Sequence, residues 1–284
     1  MQLIYPSCLA NIQIKMEILT ETEKKVAAYI LENQRKILEY TVSELAEQSG
    51  VSDATVIRFC KKVGFDGYQE FKISLAQDTI LPYKQLYYDL EKGDSISEII
   101  KKVISAEIEV LQETQSTLND SLIQKTADAI LKANRCVIVG SGGSTLIGQD
   151  FMHKLLKIGV NCSVQSDADI QAMEASLMVP GDVLIGISHS GANKNVIECM
   201  KIARGNGVLT IGLTSSHKAP IQKQSDLLIA APSKRTVFHS ESATARIAQL
   251  AVLDVIVASI SLADYEKAYG AIQKTRAATA NRKF

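Results

Sequence analysis

Between Arg135 and the end of the chain, five short, uniformly apolar runs alternate with segments of helical pattern: Cys136 to Val139, Asn161 to Val164, Val183 to Ile187, Val208 to Leu213 and Leu227 to Ala230. No other feature narrows the fold as far. A strand with one wet face alternates apolar and polar residues, whereas a strand covered on both faces reads as an unbroken apolar run. This half therefore predicts a doubly wound α/β domain, with helices wrapping a five-stranded, mostly parallel sheet. Pro180-Gly181 before Val183 and Gly207 before Val208 punctuate the turns.

From Thr20 to Asp78 the texture is all-α, with apolar residues at helical spacing, no run of β-branched residues and no proline. Thr20-Glu21-Thr22-Glu23 is a helix-start signal, with a hydroxyl to cap and Glu23 three residues on. Further helices are expected over about Val42 to Gln48, Asp53 to Val63 and Gly67 to Asp78, the last with Phe71 and Leu75 turned inward. Pro82 and the tyrosine-rich segment Tyr83 to Leu90, ending at Gly93, read as a linker. The expected division is 1–80, a linker over 81–94, and 95–284. The last part opens with an amphipathic stripe from Ser95 to Leu118 through Ile96, Ile99, Ile100, Val103, Ile104, Ile108 and Leu111, which needs a surface to pack on. A helix through Leu122 and Ile130 follows.

Lys plus Arg and Asp plus Glu number 31 each, so no bulk field draws the chain to nucleic acid or membrane, and such binding must come from a local patch. Cys8, Cys60, Cys136, Cys162 and Cys199 are widely spaced, odd in number and form no CxxC pair, which reads as reduced thiols. Met1 to Pro6 lacks the basic segment and long apolar core of a secretion signal, so the cytoplasm is the expected compartment. The most apolar stretch, Ile247 to Ala263, carries Gln249 and Asp254 and falls short of the ~20 residues of a membrane span, so it reads as a buried or subunit-interface helix. His153, His189, His217 and His239 show no metal-ligand spacing, and neither a metal nor a cofactor is implied.

Val42 to Lys62 carries the spacing of a helix-turn-helix. Ala46 lets two helices approach, Gly50 suits the left-handed turn, Val51 fills the corner, Val56 packs back, and Ser52 is placed to cap the second helix. At about 100° per residue, Val56, Phe59, Cys60 and Val63 fall on one side of that helix, and Ala54, Thr55, Arg58, Lys61 and Lys62 on the other. Ser52, Thr55, Arg58, Lys61 and Lys62 are thus the candidate DNA contacts, suited to base edges and phosphates. Cations near a helix C-terminus also complement its dipole whatever the function. Residues 1–80 hold nine Lys or Arg against eleven Asp or Glu, so binding relies on a small cationic face and on two copies engaging one site.

The first apolar run leads into Gly140-Ser141-Gly142-Gly143-Ser144-Thr145 and then a helix. Glycines let backbone approach an anion, a helix N-terminus favours one, and Ser141, Ser144 and Thr145 add hydroxyl donors. The dinucleotide fingerprint GxGxxG fails at Thr145 and no Gly-Lys-Ser/Thr occurs, so a nucleotide-binding module is the weaker reading. Ser188-His189-Ser190-Gly191-Ala192-Asn193 follows the third run in the same way. Two such loops at the carboxyl ends of parallel strands face one crevice, the usual ligand position in an open α/β sheet, and suit a phosphate monoester. Serine and glycine also make tight strand-to-helix turns with no ligand at all. Glu241, just before the apolar helix Ala243 to Leu262, complements that helix's dipole, binds a sugar hydroxyl or acts as a base. Asp167 and Asp169 read as surface acids.

On these residues the chain resembles the RpiR-type bacterial transcription regulators, which join an N-terminal helix-turn-helix domain to a sugar isomerase (SIS) domain. The resemblance covers nearly the whole chain. Its most specific stretches are Val51 to Phe71, VSDATVIRFCKKVGFDGYQEF, and Val183 to Asn193, VLIGISHSGAN, supported by VIVGSGGS and FHSESATARIAQLAVLDV. It implies a regulator that binds operator DNA, senses a phosphorylated sugar such as an amino-sugar 6-phosphate, and works as a homodimer or tetramer away from the membrane. Matched residue by residue, it puts phosphate-gripping positions at Ser144, Ser188, His189, Ser190 and Asn193, with Ser141 beside them and Glu241 near the sugar. SIS loops commonly place threonine or serine where Asn193 stands, though an amide still donates to phosphate. The alternative is an enzyme, a phosphosugar isomerase or lyase with Glu241 or a histidine as general base and an accessory helical domain.

Overall fold

The computed structural model describes residues 8–79, 90, 93–231 and 243–280, which divide into two compact units, one within 8–108 and one within 109–231 with 243–280. Pro82, Tyr83 to Asp89 of the expected linker, and Glu241 lie outside the described residues.

The first unit is helical throughout: α1 (Cys8–Lys15), a 3-10 turn (Met16–Ile18), α2 (Glu21–Glu32), α3 (Gln34–Ile37), α4 (Val42–Gln48), α5 (Asp53–Lys62) and α6 (Tyr68–Thr79). Thr20 and Glu23 form a full capping box at α2, and Thr41 and Glu44 repeat it at α4, each cap contributing about 1 kcal/mol. Helices this short do not persist alone, so their stability comes from the shared apolar face. Ile12, Ile30, Leu45, Phe59, Phe71 and Leu75 are fully buried. Phe71 sits at the centre, meeting Phe59 and Phe65 edge-on with ring centroids 5.9 and 5.6 Å apart.

The boundary between the units falls within α7 (Ile96–Thr117). Val110 and Thr114 of this helix are buried, but Ile96, Ile100, Ile104, Ile108 and Leu111 are exposed. The expected stripe therefore does not close on the described residues of its own chain, because burial needs a neighbouring element as well as an apolar face.

The second unit comprises α8 (Asp120–Lys132), β1 (Cys136–Gly140), α9 (Gly143–Lys157), β2 (Cys162–Val164), α10 (Ala168–Ser176), β3 (Val183–Ile187), α11 (Lys194–Gly205), β4 (Leu209–Thr214), a 3-10 turn (Pro220–Gln224), β5 (Leu227–Ala230), α12 (Ala243–Ala263) and α13 (Tyr265–Ala280). The strands lie in the order β2-β1-β3-β4-β5, and every pairing is parallel. Successive residues of β1 and β3 point to opposite faces, which divides the core in two. Ile138 and Ile185 join Ile130 of α8, Phe151 of α9 and Val252 of α12. Val139 and Leu184 join Ala175 of α10 and Val196 and Met200 of α11.

The α12 helix is long and apolar enough to cross a membrane by composition alone, yet Ala248, Val252, Leu253, Ile256 and Ile260 are buried in the sheet's core. All five cysteines are free, and burial pushes the thiols of Cys136 and Cys162 up to about 12 and about 11.

Candidate functional site

Two sites emerge, one in each unit. In the first, Gly50 takes φ +65 between α4 and α5, and the Val51 amide donates to the Ala46 carbonyl at 2.9 Å, closing the turn. Only glycine adopts this conformation freely. The Ser43 hydroxyl bonds the Asp53 carboxylate at 2.7 Å, tying the first helix of the pair to the second. Ser52 caps α5, its Oγ accepting from the Thr55 amide, and is itself exposed.

The outer face of α5 differs from the helical-wheel expectation at two positions. Thr55 is buried rather than free, its hydroxyl 3.0 Å from Ser52 Oγ and accepting from Arg58 Nη2 at 3.2 Å. Four residues before Phe59, it lies one turn above a core side chain and on nearly the same line. Lys62 is drawn off to α2, where its Nζ lies 2.9 Å from Glu23 Oε2. Arg58 and Lys61 are exposed as expected. Ala54 is exposed on that face as expected, and so is Ile57 beside it, which the sequence reading had not placed there.

In the second unit the two serine loops come together. Gly140 of β1 pairs in register with Ile187 of β3, so Ser141 and Ser188 leave the sheet from matched positions on one rim. The chain reverses direction across the sheet between these strands, since β2 lies outside β1 and β4 outside β3. This is the topological switch point where an open α/β sheet leaves a crevice.

The first loop reaches α9 through Gly142, and no side chain caps the helix. Ser141 is exposed, Ser144 half-buried and Thr145 buried. Gln171 of α10 braces this loop from below, donating from a buried Nε2 to the Gly140 carbonyl at 2.8 Å and to the Gln165 carbonyl at 2.7 Å. Sequence spacing gave no hint of that brace, because the partners are 31 residues apart.

The second loop is held by its neighbour. The His189 carbonyl accepts from Thr214 Oγ1, the Ser215 amide and Ser215 Oγ at 3.0, 3.0 and 2.8 Å. Gly191, at φ +61, leaves no room for a side chain, since a Cβ there would stand 2.3 Å from the Ala219 methyl. Ser188 is buried, while His189, Ser190 and Asn193 are half-buried. Ser190 Oγ accepts from the Ala192 amide at 3.3 Å. Asn193 caps α11, its Oδ1 accepting from the Val196 amide at 3.1 Å, so the amide's donor end is the part left to meet a ligand. Asp167 also serves as a cap, for α10. Glu241, lying outside the described residues, gains no position here.

A family model described as a helix-turn-helix domain of the rpiR family matches residues 7–80, and one described as a SIS domain matches residues 129–259. An uncharacterized HTH-type transcriptional regulator of Caldanaerobacter subterraneus is 31% identical over 97% of this chain and 98% of its own. The HTH-type transcriptional regulator RpiR of Escherichia coli K12 is 31% identical over 94% of this chain and 90% of its own. Among solved structures, the Vibrio vulnificus NanR protein complexed with ManNAc-6P superimposes with a TM-score of 0.84 at 25% identity, over 97% of this chain and 99% of that one. The chain belongs to the RpiR family of helix-turn-helix transcriptional regulators, with a SIS domain following the helix-turn-helix domain along the chain.

Proposed function

We propose that this regulator binds operator DNA through α5 and takes a phosphorylated sugar, an amino-sugar 6-phosphate in particular, in the crevice between β1 and β3. The observation that carries the reading is the register of Gly140 with Ile187, which starts both serine loops side by side on one rim. The NanR likeness supports the ligand class, because that protein was solved with ManNAc-6P. Regulators among the relatives support sensing rather than turnover.

In this reading Ser144, Ser188, His189, Ser190 and the Asn193 amide donate to phosphate oxygens, with Ser141 beside them, each charged hydrogen bond worth about 1.5–3 kcal/mol. Glu241 is assigned to the sugar hydroxyls. On DNA, Arg58 and Lys61 reach into the major groove, Ser52 meets the backbone, and a thymine methyl packs on Ile57. Thr55 acts by orienting Arg58, and Lys62 contributes charge from its ion pair. Residues 1–80 form the DNA-binding part, 81–94 the linker and 95–284 the sensor, working in the cytoplasm as a homodimer or tetramer. The sugar phosphate acts only through unequal affinity for two arrangements of the paired subunits.

A gel shift with a panel of hexose and amino-sugar phosphates tests this. Operator affinity should move with one of them; indifference to every phosphosugar would point to another effector class.

A further inference from the structure

Resting on the phosphosugar reading above, we infer that Arg246, in the first turn of α12, supplies the fixed positive charge of the crevice and makes it selective for dianionic phosphate esters. Neither the loop motifs nor their spacing includes this residue. Its place is defined by Gly143: a Cβ built there would stand 3.0 Å from Arg246 Nη2, 3.2 Å from Nε and 3.3 Å from Cζ. The guanidinium therefore lies against the bare Cα of the first loop, at the start of α9, where a side chain at 143 would crowd it.

Helix stability does not account for that placement. A cation in the first turn of a helix opposes the dipole, and the charge on α12 stands in such a turn. The guanidinium moreover lies at the N-terminal end of a second helix, α9, which no side chain caps. Neither helix carries an acidic residue in its first turn. Among the described residues, Arg246 has no ion-pair partner. The guanidinium and the uncapped start of α9 thus bring positive potential together at Gly143, in the loop that carries Ser141 and Ser144. An anion in the crevice relieves this arrangement, and one bearing two charges relieves it most. A serine hydroxyl, being neutral, gains less from the second charge of a phosphate than a guanidinium, which forks onto two oxygens and meets that charge with its own.

The test is calorimetric titration of the full-length protein with N-acetylmannosamine 6-phosphate, glucosamine 6-phosphate and inorganic phosphate, comparing wild type with R246Q and R246K at low and high KCl. The tightest of these probes should bind R246Q about tenfold more weakly or worse, R246K less so, with a flatter salt dependence in R246Q and an unchanged ligand-free melting temperature. Wild-type affinity in R246Q, or a loss with the salt dependence intact, would overturn the role of Arg246 and leave the phosphosugar reading standing. Failure of the wild type to bind all three probes would overturn both. Should R246Q not fold, R246M decides: removing the charge while keeping the apolar stem should weaken the same probe, and full affinity would refute the proposal.

Discussion

Lys62 Nζ lies 2.9 Å from Glu23 Oε2, so the last basic residue of α5 is joined to the capping box that starts α2. One carboxylate thus serves two helices. Burial pushes the Glu23 carboxyl up, but the Thr20 amide and the Lys62 ammonium outweigh it and hold the group below its ordinary value. A depressed carboxyl stabilises the fold above its unfolded value near 4.3 and ceases to do so as pH falls through the folded one. Chemical denaturation of the full chain should show the helical unit weakening below about pH 4, and Glu23→Gln should flatten that slope. An unchanged slope would remove the pair from the stability account.

Lys62→Ala should cost about 1 kcal/mol of stability, since the pair is only partly shielded from solvent. Its effect on operator affinity should be smaller than that of Arg58→Ala. Equal losses for the two would restore Lys62 to the DNA-reading face.

Arg58→Ala should abolish specific operator binding while phosphosugar binding persists, the two lying in separate units. Lys61→Ala should weaken binding to all sequences alike and lower the salt slope by about 1. Retained specificity in Arg58→Ala would move the readout to another part of the helix.

Ser188→Ala combined with Ser190→Ala should eliminate the ligand response at a cost within about 1 kcal/mol of stability. Thermal shift with amino-sugar phosphates is the direct measure, because a ligand bound only to the native state raises apparent stability. A full thermal shift in the double variant would exclude these hydroxyls from the site.

Gln171→Leu should destabilise the second unit by about 1–3 kcal/mol, since it strips the Gly140 and Gln165 carbonyls of a buried donor. Ligand affinity should fall as well, through looser positioning of Ser141. Loss of affinity with no loss of stability would instead make Gln171 a direct ligand contact.

Local pattern was enough for much of this molecule. The apolar runs that became β1, β3 and β4 suit strands covered on both faces, which made the parallel sheet legible before any coordinates, while the edge strands β2 and β5 are mostly half-buried. Ala46, Gly50 and Val56 mark a helix pair because the crossing tolerates little else, and Thr20 with Glu23 marks a helix start because two backbone amides need acceptors. The serine loops were legible for the same reason: strand ends and helix starts announce themselves within a few residues.

What lay beyond the sequence depends on partners distant in the chain. Thr55 and Lys62 looked free on a helical wheel, yet neighbouring turns and α2 occupy them. The stripe on α7 looked like core and is largely exposed. Gln171 beneath Gly140 and Arg246 beside Gly143 are brought to the first loop by helices 31 and 103 positions along the chain. Periodicity reports which face of an element is apolar, but only packing decides what that face meets, because contact energy depends on the neighbour supplied by the rest of the fold.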